Sequence, residues 1–348
     1  MSVLSMASTR RSLPNIPWRT VGGMAIALVV AYLVILNASG PQAQEQFINA
    51  LTTGALYALI ALGYTMVYGI IELINFAHGE IFMCGSFVAY LLITTFGFSG
   101  AITDLPLLAG VLFVVFLVSM LSMGVVGVII ERFAYRPLRN APRLAPLITA
   151  IGVSFILQNI VFVGISNSVV SVPKLIPFTI LNLGPVSIRE INLVVIVLAI
   201  VLMVGLQLFT TRTRLGTAMR STALDREAAQ LMGVDINRTI AITFFIGAAL
   251  AGAAGVVQTQ YLGVTHFRIG FQDGLFAFTA AVLGGIGNIQ GAVVGGLVLG
   301  IVEGMATQYI PGQFGGSPWK DVWAFVLLIL VLVFRPQGLL GAKAVDRA

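Results

Sequence analysis

Ten runs of apolar residues dominate this 348-residue chain, at about 20–37, 47–71, 80–97, 105–130, 144–166, 191–209, 239–260, 274–289, 291–310 and 321–335. A helix that crosses a bilayer needs about 20 apolar residues, because the hydrocarbon core is about 30 Å thick. No water is available there for an exposed peptide group, so each spanning segment must close its own backbone hydrogen bonds. The expected fold is therefore all-α, a polytopic membrane helix bundle of eight to ten transmembrane helices. The eighth, ninth and tenth runs are short or interrupted by glycine, which predicts broken or re-entrant segments among them.

Composition agrees with a lipid environment. Charged residues make up 9% of the chain and hydrophobic ones 58%, whereas a soluble domain carries about 25% charge to wet its surface. With the amino terminus placed inside and ten alternating spans, fifteen of the 19 basic residues fall inside. Lys174, Arg189, Arg268 and Lys320 fall outside, a strong positive-inside bias that places both termini in the cytoplasm. The same distribution excludes nucleic acid, since the positive charge is spread over loops facing lipid headgroups. The expected organisation is a basic leader at 1–19, one membrane domain at 20–340 and a short cytoplasmic tail at 341–348. No small-residue cleavage site follows the first run, so it reads as an uncleaved helix. Cys84 has no partner cysteine and reads as packing.

Two inside loops stand out, at 131–143 and 210–238. In the second, Thr222-Ala-Leu-Asp225 has the form of a capping box. Leu224, Ala228, Leu231 and Met232 follow at one-face spacing, and Gly233 suits a left-handed stop. A helix of about ten residues is too short to stand alone in water, so its stripe must rest on something. That support is either the membrane and the bundle's own underside, or a soluble partner that takes the helix into a groove.

The stretch Glu227-Ala-Ala-Gln-Leu-Met-Gly233 resembles the E-A-A-x-x-x-G signature of ABC-importer permease subunits. Asn49-Ala-Leu-Thr-Thr-Gly-Ala-Leu-Tyr-Ala-Leu-Ile-Ala-Leu-Gly-Tyr64, running into Ile74-Asn-Phe-Ala-His-Gly-Glu80, is similar to the amino-terminal core of LivH-type permeases of branched-chain amino acid importers. Phe276-Ala-Phe-Thr-Ala-Ala-Val-Leu-Gly-Gly-Ile-Gly-Asn-Ile-Gln-Gly-Ala292 resembles their carboxy-terminal core. The resemblance implies a multi-pass subunit of a bacterial inner membrane that moves branched-chain or similar neutral amino acids inward by alternating access. It implies four kinds of contact: a second related permease, two cytoplasmic ATPases, a periplasmic substrate-binding protein and the lipid bilayer. ATP and Mg would be bound by the partner ATPases, and this chain would carry no cofactor and no catalytic residue. Leu224, Glu227, Ala228, Ala229, Leu231 and Gly233 are then the expected ATPase-coupling residues. Related permeases carry urea or short amides, which is the alternative substrate class.

The residues themselves limit the mechanism. Lys174, Lys320 and Lys343 are the only lysines, and none lies in a phosphate-binding G-x-x-x-x-G-K-[ST] loop. Glu72, His78 and Glu80 are placed at the cytoplasmic end of the second and third spans, where capping of helix ends accounts for each singly. Asn75, His78 and Glu80 are nevertheless candidates to line or gate a pathway. Asn75 and His78 would share one face if helical. Gly285 and Asn288 are further candidates, in a glycine-broken segment whose freed backbone groups would face the pathway. Small-x-x-x-small spacing in Gly247, Ala251, Gly255; in Gly291, Gly295; and in Gly296, Gly300, Gly304 predicts close helix packing. A self-sufficient channel or secondary carrier would need buried coupling carboxylates or a filter, which are sparse. A nucleophile–base pair or metal cluster for an intramembrane enzyme is not in evidence, with His78 and His266 on different sides.

Overall fold

The computed structural model describes residues 41–341, except 140, 143, 184, 185 and 311. The expected leader at 1–19, the first span at 20–37 and most of the tail at 341–348 lie outside the described residues. From Glu45 onward the chain packs as one compact unit.

Eight helices among the described residues are long and apolar enough to cross a membrane. They are α1 (Pro41–Ile71), α2 (His78–Thr95), α3 (Leu105–Ile130), α4 (Leu144–Gly164), α5 (Glu190–Arg212), α8 (Ile236–Leu262), α10 (Ile289–Tyr309) and α11 (Lys320–Phe334). Two short helices, α6 (Arg214–Leu224) and α7 (Arg226–Leu231), sit between α5 and α8, and α9 (Ile269–Gly284) is a shorter apolar helix. Strand pairs are few: β1 (Val170–Ser171) with β4 (Val264–Thr265), and β2 (Ile180–Leu183) with β3 (Val186–Arg189). The polytopic α-helical bundle expected from the apolar runs is what the chain forms.

Helices in lipid gain little from burying apolar surface against one another, so packing depends on how closely backbones approach. The glycine seams provide that approach. A Cβ on Gly54 of α1 would lie 2.8 Å from the Gly296 carbonyl of α10, and one on Gly296 would lie 2.6 Å from the Ala58 nitrogen. Gly300 and Gly304 continue the seam against Gly54 and Ala50. Gly85 of α2 meets Gly252 of α8, and Gly127 of α3 meets Ala248 and the Phe244 carbonyl. α1 and α8 are consequently almost enclosed, while α4, α5 and α11 turn most of their surface outward.

The two enclosed helices end alike, at a constant offset of 262 minus 71, or 191 residues. Ile71 closes α1 and Leu262 closes α8. The next residues, Glu72 and Gly263, both take left-handed φ, +55° and +76°. Their N–H groups donate to Tyr68 O (2.9 Å) and Thr259 O (2.8 Å). Three residues on, the Asn75 Oδ1 accepts from the Ala77 N–H at 3.1 Å. His266 Nδ1 does the same for the Arg268 N–H at 3.2 Å. The Asn75 and His266 carbonyls then accept from His78 and Ile269, which open α2 and α9 (3.0 and 3.1 Å).

These two units run in opposite directions. The Arg226 Nη2 of α7 donates to Ile71 O at 3.0 Å, which fixes the end of α1 at the α6–α7 face. Gly263 accepts from the Val172 N–H at 2.8 Å, beside β1 at the opposite face. α2 and α9 therefore start inside the bundle from opposite sides, an inverted repeat of the kind that places broken helices at a membrane's centre. They cross where Gly79 meets Gly270 and Gly274, and a Cβ on Gly79 would lie 2.9 Å from the Gly274 Cα.

Replacing Gly300 by Ala puts a Cβ onto the Gly54 backbone and should cost about 1–3 kcal/mol of stability, as overpacking does. Gly205→Ala on α5 meets nothing within 4 Å and should be neutral or stabilise by up to about 1 kcal/mol. Thermal unfolding of the detergent-solubilised variants, followed by circular dichroism, checks the pair.

A second expectation concerns His266. Burial, and then the neighbouring Arg268, lower its imidazole from the ordinary value, so the neutral ring that accepts from Arg268 N is favoured. A depressed histidine contributes stability that is present above its unfolded value of about 6.5 and is lost as pH falls below it. His266→Asn supplies the acceptor that Asn75 supplies in the other repeat, without a titrating ring. Melting measured from pH 7.5 to 5 should fall less steeply in this variant than in the wild type.

Candidate functional site

Asn75, His78 and Glu80 come together at the start of α2, but not at the membrane surface where the sequence placed them. Glu72 stays at the α6–α7 face, lining a cavity with Asp225 and Arg226. Residues 73–77 then carry the chain inward without helix, and a non-helical residue advances up to about 3.3 Å. His78 thereby lies beside Gly63, eight residues back along α1, with its ring 4.6 Å from that of Tyr64. Asn75 and His78 share no helical face, because Asn75 forms the turn that starts α2. The Tyr135 hydroxyl donates to Asn75 Oδ1 at 3.0 Å and fixes that turn from α3.

Glu80 is buried. Its Oε1 accepts from the Ser154 Oγ of α4 at 3.2 Å, and its Oε2 has no hydrogen-bond partner. The carboxylate borders an open cavity of about 550 Å³. Ser154, Phe155 and Gln158 of α4 form one wall, and Asp321 and Phe325 of α11 another. Arg268 and the first turns of α9, with Phe271, Gln272 and Phe276, form the third. Behind the Phe276 ring, Gln258 donates to Asp273 at 3.2 Å and Lys320 pairs with Glu303 at 3.7 Å.

At the α6–α7 face the helix starts differently from the expected capping box. Thr222 lies inside α6 and donates to Ala218 O at 2.8 Å. Asp225 is the cap of α7, accepting from the Glu227 and Ala228 N–H groups at 2.9 and 3.0 Å. An aspartate cap reaches the two orphan donors after it directly, so the helix opens there and runs six residues rather than ten. Gly233, at φ +85°, ends it as expected. Ala229 is the buried residue of α7, and Glu227 and Ala228 are exposed. Leu224, Leu231 and Met232 are 76%, 89% and 85% exposed, so their stripe does not rest on the chain's own underside.

Beneath α7, Glu131 is fully buried and holds Arg136 at 2.9 Å and Arg139 more closely. A π turn at Glu131–Tyr135 extends α3 and carries Tyr135 to Asn75. Arg139 also donates to Asn237 Oδ1 at 2.6 Å, near the start of α8.

Residues 46–332 match the family described as branched-chain amino acid transport system / permease component. The chain belongs to this permease family. It is 46% identical to the high-affinity branched-chain amino acid transport system permease protein BraD of Pseudomonas aeruginosa, over 87% of this chain and 97% of that one. To the corresponding permease protein LivH of Escherichia coli it is 43% identical over the same shares. A probable branched-chain amino acid permease of Methanocaldococcus jannaschii is 29% identical over 84% of this chain and 91% of that one. No solved structure matches.

The permease separates Gly285 and Asn288 from the other candidate pathway residues. They form the turn between α9 and α10, and its freed groups do not face open space as expected. Leu283 and Gly284 carbonyls accept from the Leu339 and Leu340 N–H groups at 2.8 and 2.9 Å. Asn288 Oδ1 caps α10 through Gln290 and Gly291, and its Nδ2 donates to Leu340 O at 2.8 Å. The chain returning at Leu339 and Leu340 satisfies the break, so no pathway is needed to do so. Asn288 still borders a second cavity, with Tyr68, Glu72 and Arg220.

Several residues of the permease were not singled out from sequence: Glu131, Tyr135, Ser154, Gln158, Arg226, Gln272 and Asp321. Ser154 and Gln158 stand four apart on an apolar helix, Arg268 and Gln272 stand four apart across the start of another, and that polar spacing was a usable signal. Glu131 had none, since its burial depends on the π turn. Glu131→Gln removes the charge that holds Arg136 and Arg139 and should destabilise the permease by about 2 kcal/mol, the worth of a hydrogen bond to a charged group. Thermal unfolding of the purified variant, set against Arg132→Gln, which pairs with no carboxylate among the described residues, checks this.

Proposed function

We propose that this permease moves branched-chain amino acids inward by alternating access, driven by ATPases that dock on α7. The observation that carries the reading is the exposed apolar stripe on a capped helix whose first residue, Arg226, holds the end of α1. An interface core is usually an apolar patch of this kind, surrounded by polar residues. The ten basic positions Arg132, Arg136, Arg139, Arg143, Arg212, Arg214, Arg220, Arg226, Arg238 and Arg335 belong by sequence to the segments on this side. The positive-inside rule makes that side cytoplasmic.

The substrate reading rests on family membership and on relatives whose names give branched-chain amino acids. A binding protein would deliver the amino acid to the opposite face, in the bacterial inner membrane. The outward-turned faces of α4 and α11, with an open cavity between them, suit a second related permease. ATP and Mg would be held by the ATPases. Leu224, Glu227, Ala228, Ala229, Leu231 and Gly233 form the coupling element in this scheme. A push on α7 travels through Arg226 to Ile71 and Glu72, then along 73–77 to His78 and Glu80. Tyr135 ties the same segment to α3. Transport requires the two faces to open in turn, and this linkage connects the docking helix to the cavity.

Mild-detergent pull-down of the tagged permease from its native membrane tests the assembly, with co-purifying proteins identified by mass spectrometry. Walker-type ATPases and a second permease are expected. The double variant Leu231→Asp with Met232→Asp should remain inserted but lose ATPase recovery and leucine uptake by about tenfold or more, since each withdrawn side chain removes about 1.5–3 kcal/mol. Unchanged uptake in that variant would remove α7 as the coupling element.

A further inference from the structure

We propose that the cavity between α4, α9 and α11 is a binding subsite for a zwitterionic aliphatic α-amino acid, with Glu80 taking the ammonium group and Arg268 the carboxylate. The proposal rests on the amino acid permease reading above and adds the site and the chemistry of recognition. An α-amino acid presents opposite charges a few ångströms apart and one apolar arm, so its site needs a buried anion, a cation and an apolar wall. All three border one space.

Glu80 is the anion. It is 1% exposed, one oxygen is held by Ser154, and the other has no partner. No lysine or arginine pairs with it among the described residues. Glu80 lies in the first turn of α2 and touches Gly270 in the first turn of α9. Two helix amino termini lie beside it, and neither supplies a counter-charge. A buried charged oxygen with no donor is costly, and a cation arriving from the cavity would complete it. Gly270 leaves room for the carboxylate itself, because a Cβ there would fall on Glu80 Oε2.

Arg268 is the cation. It pairs with no carboxylate among the described residues, and its guanidinium lies 5.3 Å from the Phe267 ring centroid. A guanidinium fork is suited to a carboxylate. Phe271, Phe276 and Phe325 supply the apolar wall, and Gln158 the neutral hydrogen-bonding edge. At about 550 Å³ the space is of the size that holds small ligands. An anionic side chain would meet Asp321 and the aromatic rings, and the rings favour an aliphatic arm such as that of leucine, isoleucine or valine.

The test uses the whole importer with its ATPases and binding protein in proteoliposomes, in two measurements. In the first, Cys84→Ala with Gln158→Cys is treated with a thiol reagent, with and without leucine. Leucine should slow labelling, whereas 4-methylpentanoate, which lacks the ammonium, and isoamylamine, which lacks the carboxylate, should not. Adding Glu80→Gln or Arg268→Gln should raise the leucine concentration needed for protection by about tenfold or more, the loss of one charge-assisted hydrogen bond. In the second, leucine uptake is compared with ATPase activity stimulated by the binding protein. Glu80→Gln should lose uptake about tenfold or more, with a smaller loss of stimulated ATPase activity.

Protection that is equal for leucine and both analogues, or unchanged in both charge variants, overturns the subsite. If ATP-driven leucine uptake by the wild type persists at the same time, the permease reading stands without it. A wild-type assembly that takes up no leucine overturns both. Should Glu80→Gln melt early, Arg268→Gln, at an exposed position, decides the matter alone.

Discussion

Two helices of this permease begin inside the bundle rather than at its surface, and the rest of the fold is arranged around making that tolerable. A helix start exposes peptide N–H groups, which in hydrocarbon cost several kcal/mol each if unsatisfied. α2 and α9 solve this with the same turn, in which Asn75 and His266 each accept from the backbone two residues ahead. The crossing then brings the backbones of Gly79, Gly270 and Gly274 into contact. Any side chain at those positions would separate the helices and open the turns to lipid. Enclosure by α1 and α8, the most buried helices, follows from the same need.

Polar chemistry collects at this crossing for a related reason. An ion in a membrane is tolerated where helix termini, hydrogen bonds or a cavity stabilise it. Glu80 has all three, and Asp273 and Glu303 have Gln258 and Lys320. At the α6–α7 face the arrangement is mechanical instead. Arg226 grips the last carbonyl of α1, and Glu131 clasps two arginines under α7. Arg226 thus links one short helix to the segment that leads to the interior.

The apolar runs made the helices legible, because spanning length is set by the bilayer and not by tertiary context. Nine of them correspond to helices among the described residues, and the small-residue spacing located the seams at Gly247, Gly255, Gly296 and Gly300. Depth was not legible. Hydropathy places a helix start where polar residues cluster, so Glu72, His78 and Glu80 read as one interfacial group. Only a turn that costs no lipid-exposed peptide lets His78 and Glu80 sit far from Glu72. The α7 boundary was missed because Thr222 and Asp225 are both good caps, and a kink between two helices decided which was used. Gly285 and Asn288 marked a real break, but the residues that satisfy it, 338–341, are about 50 positions away and carry no local pattern.

The inverted repeat has an energetic corollary. If two halves of opposite orientation had identical sequences, exchanging their conformations would interconvert two states of equal free energy. Any resting preference must then come from positions where the halves differ. Glu72 and Gly263 are such a pair, with the same left-handed backbone and different steric cost. A residue with a Cβ pays about 1 kcal/mol for that conformation and glycine almost nothing. The α1 end is therefore the half with strain to release, and a single substitution at Glu72 could tilt the resting state without touching substrate or ATPase.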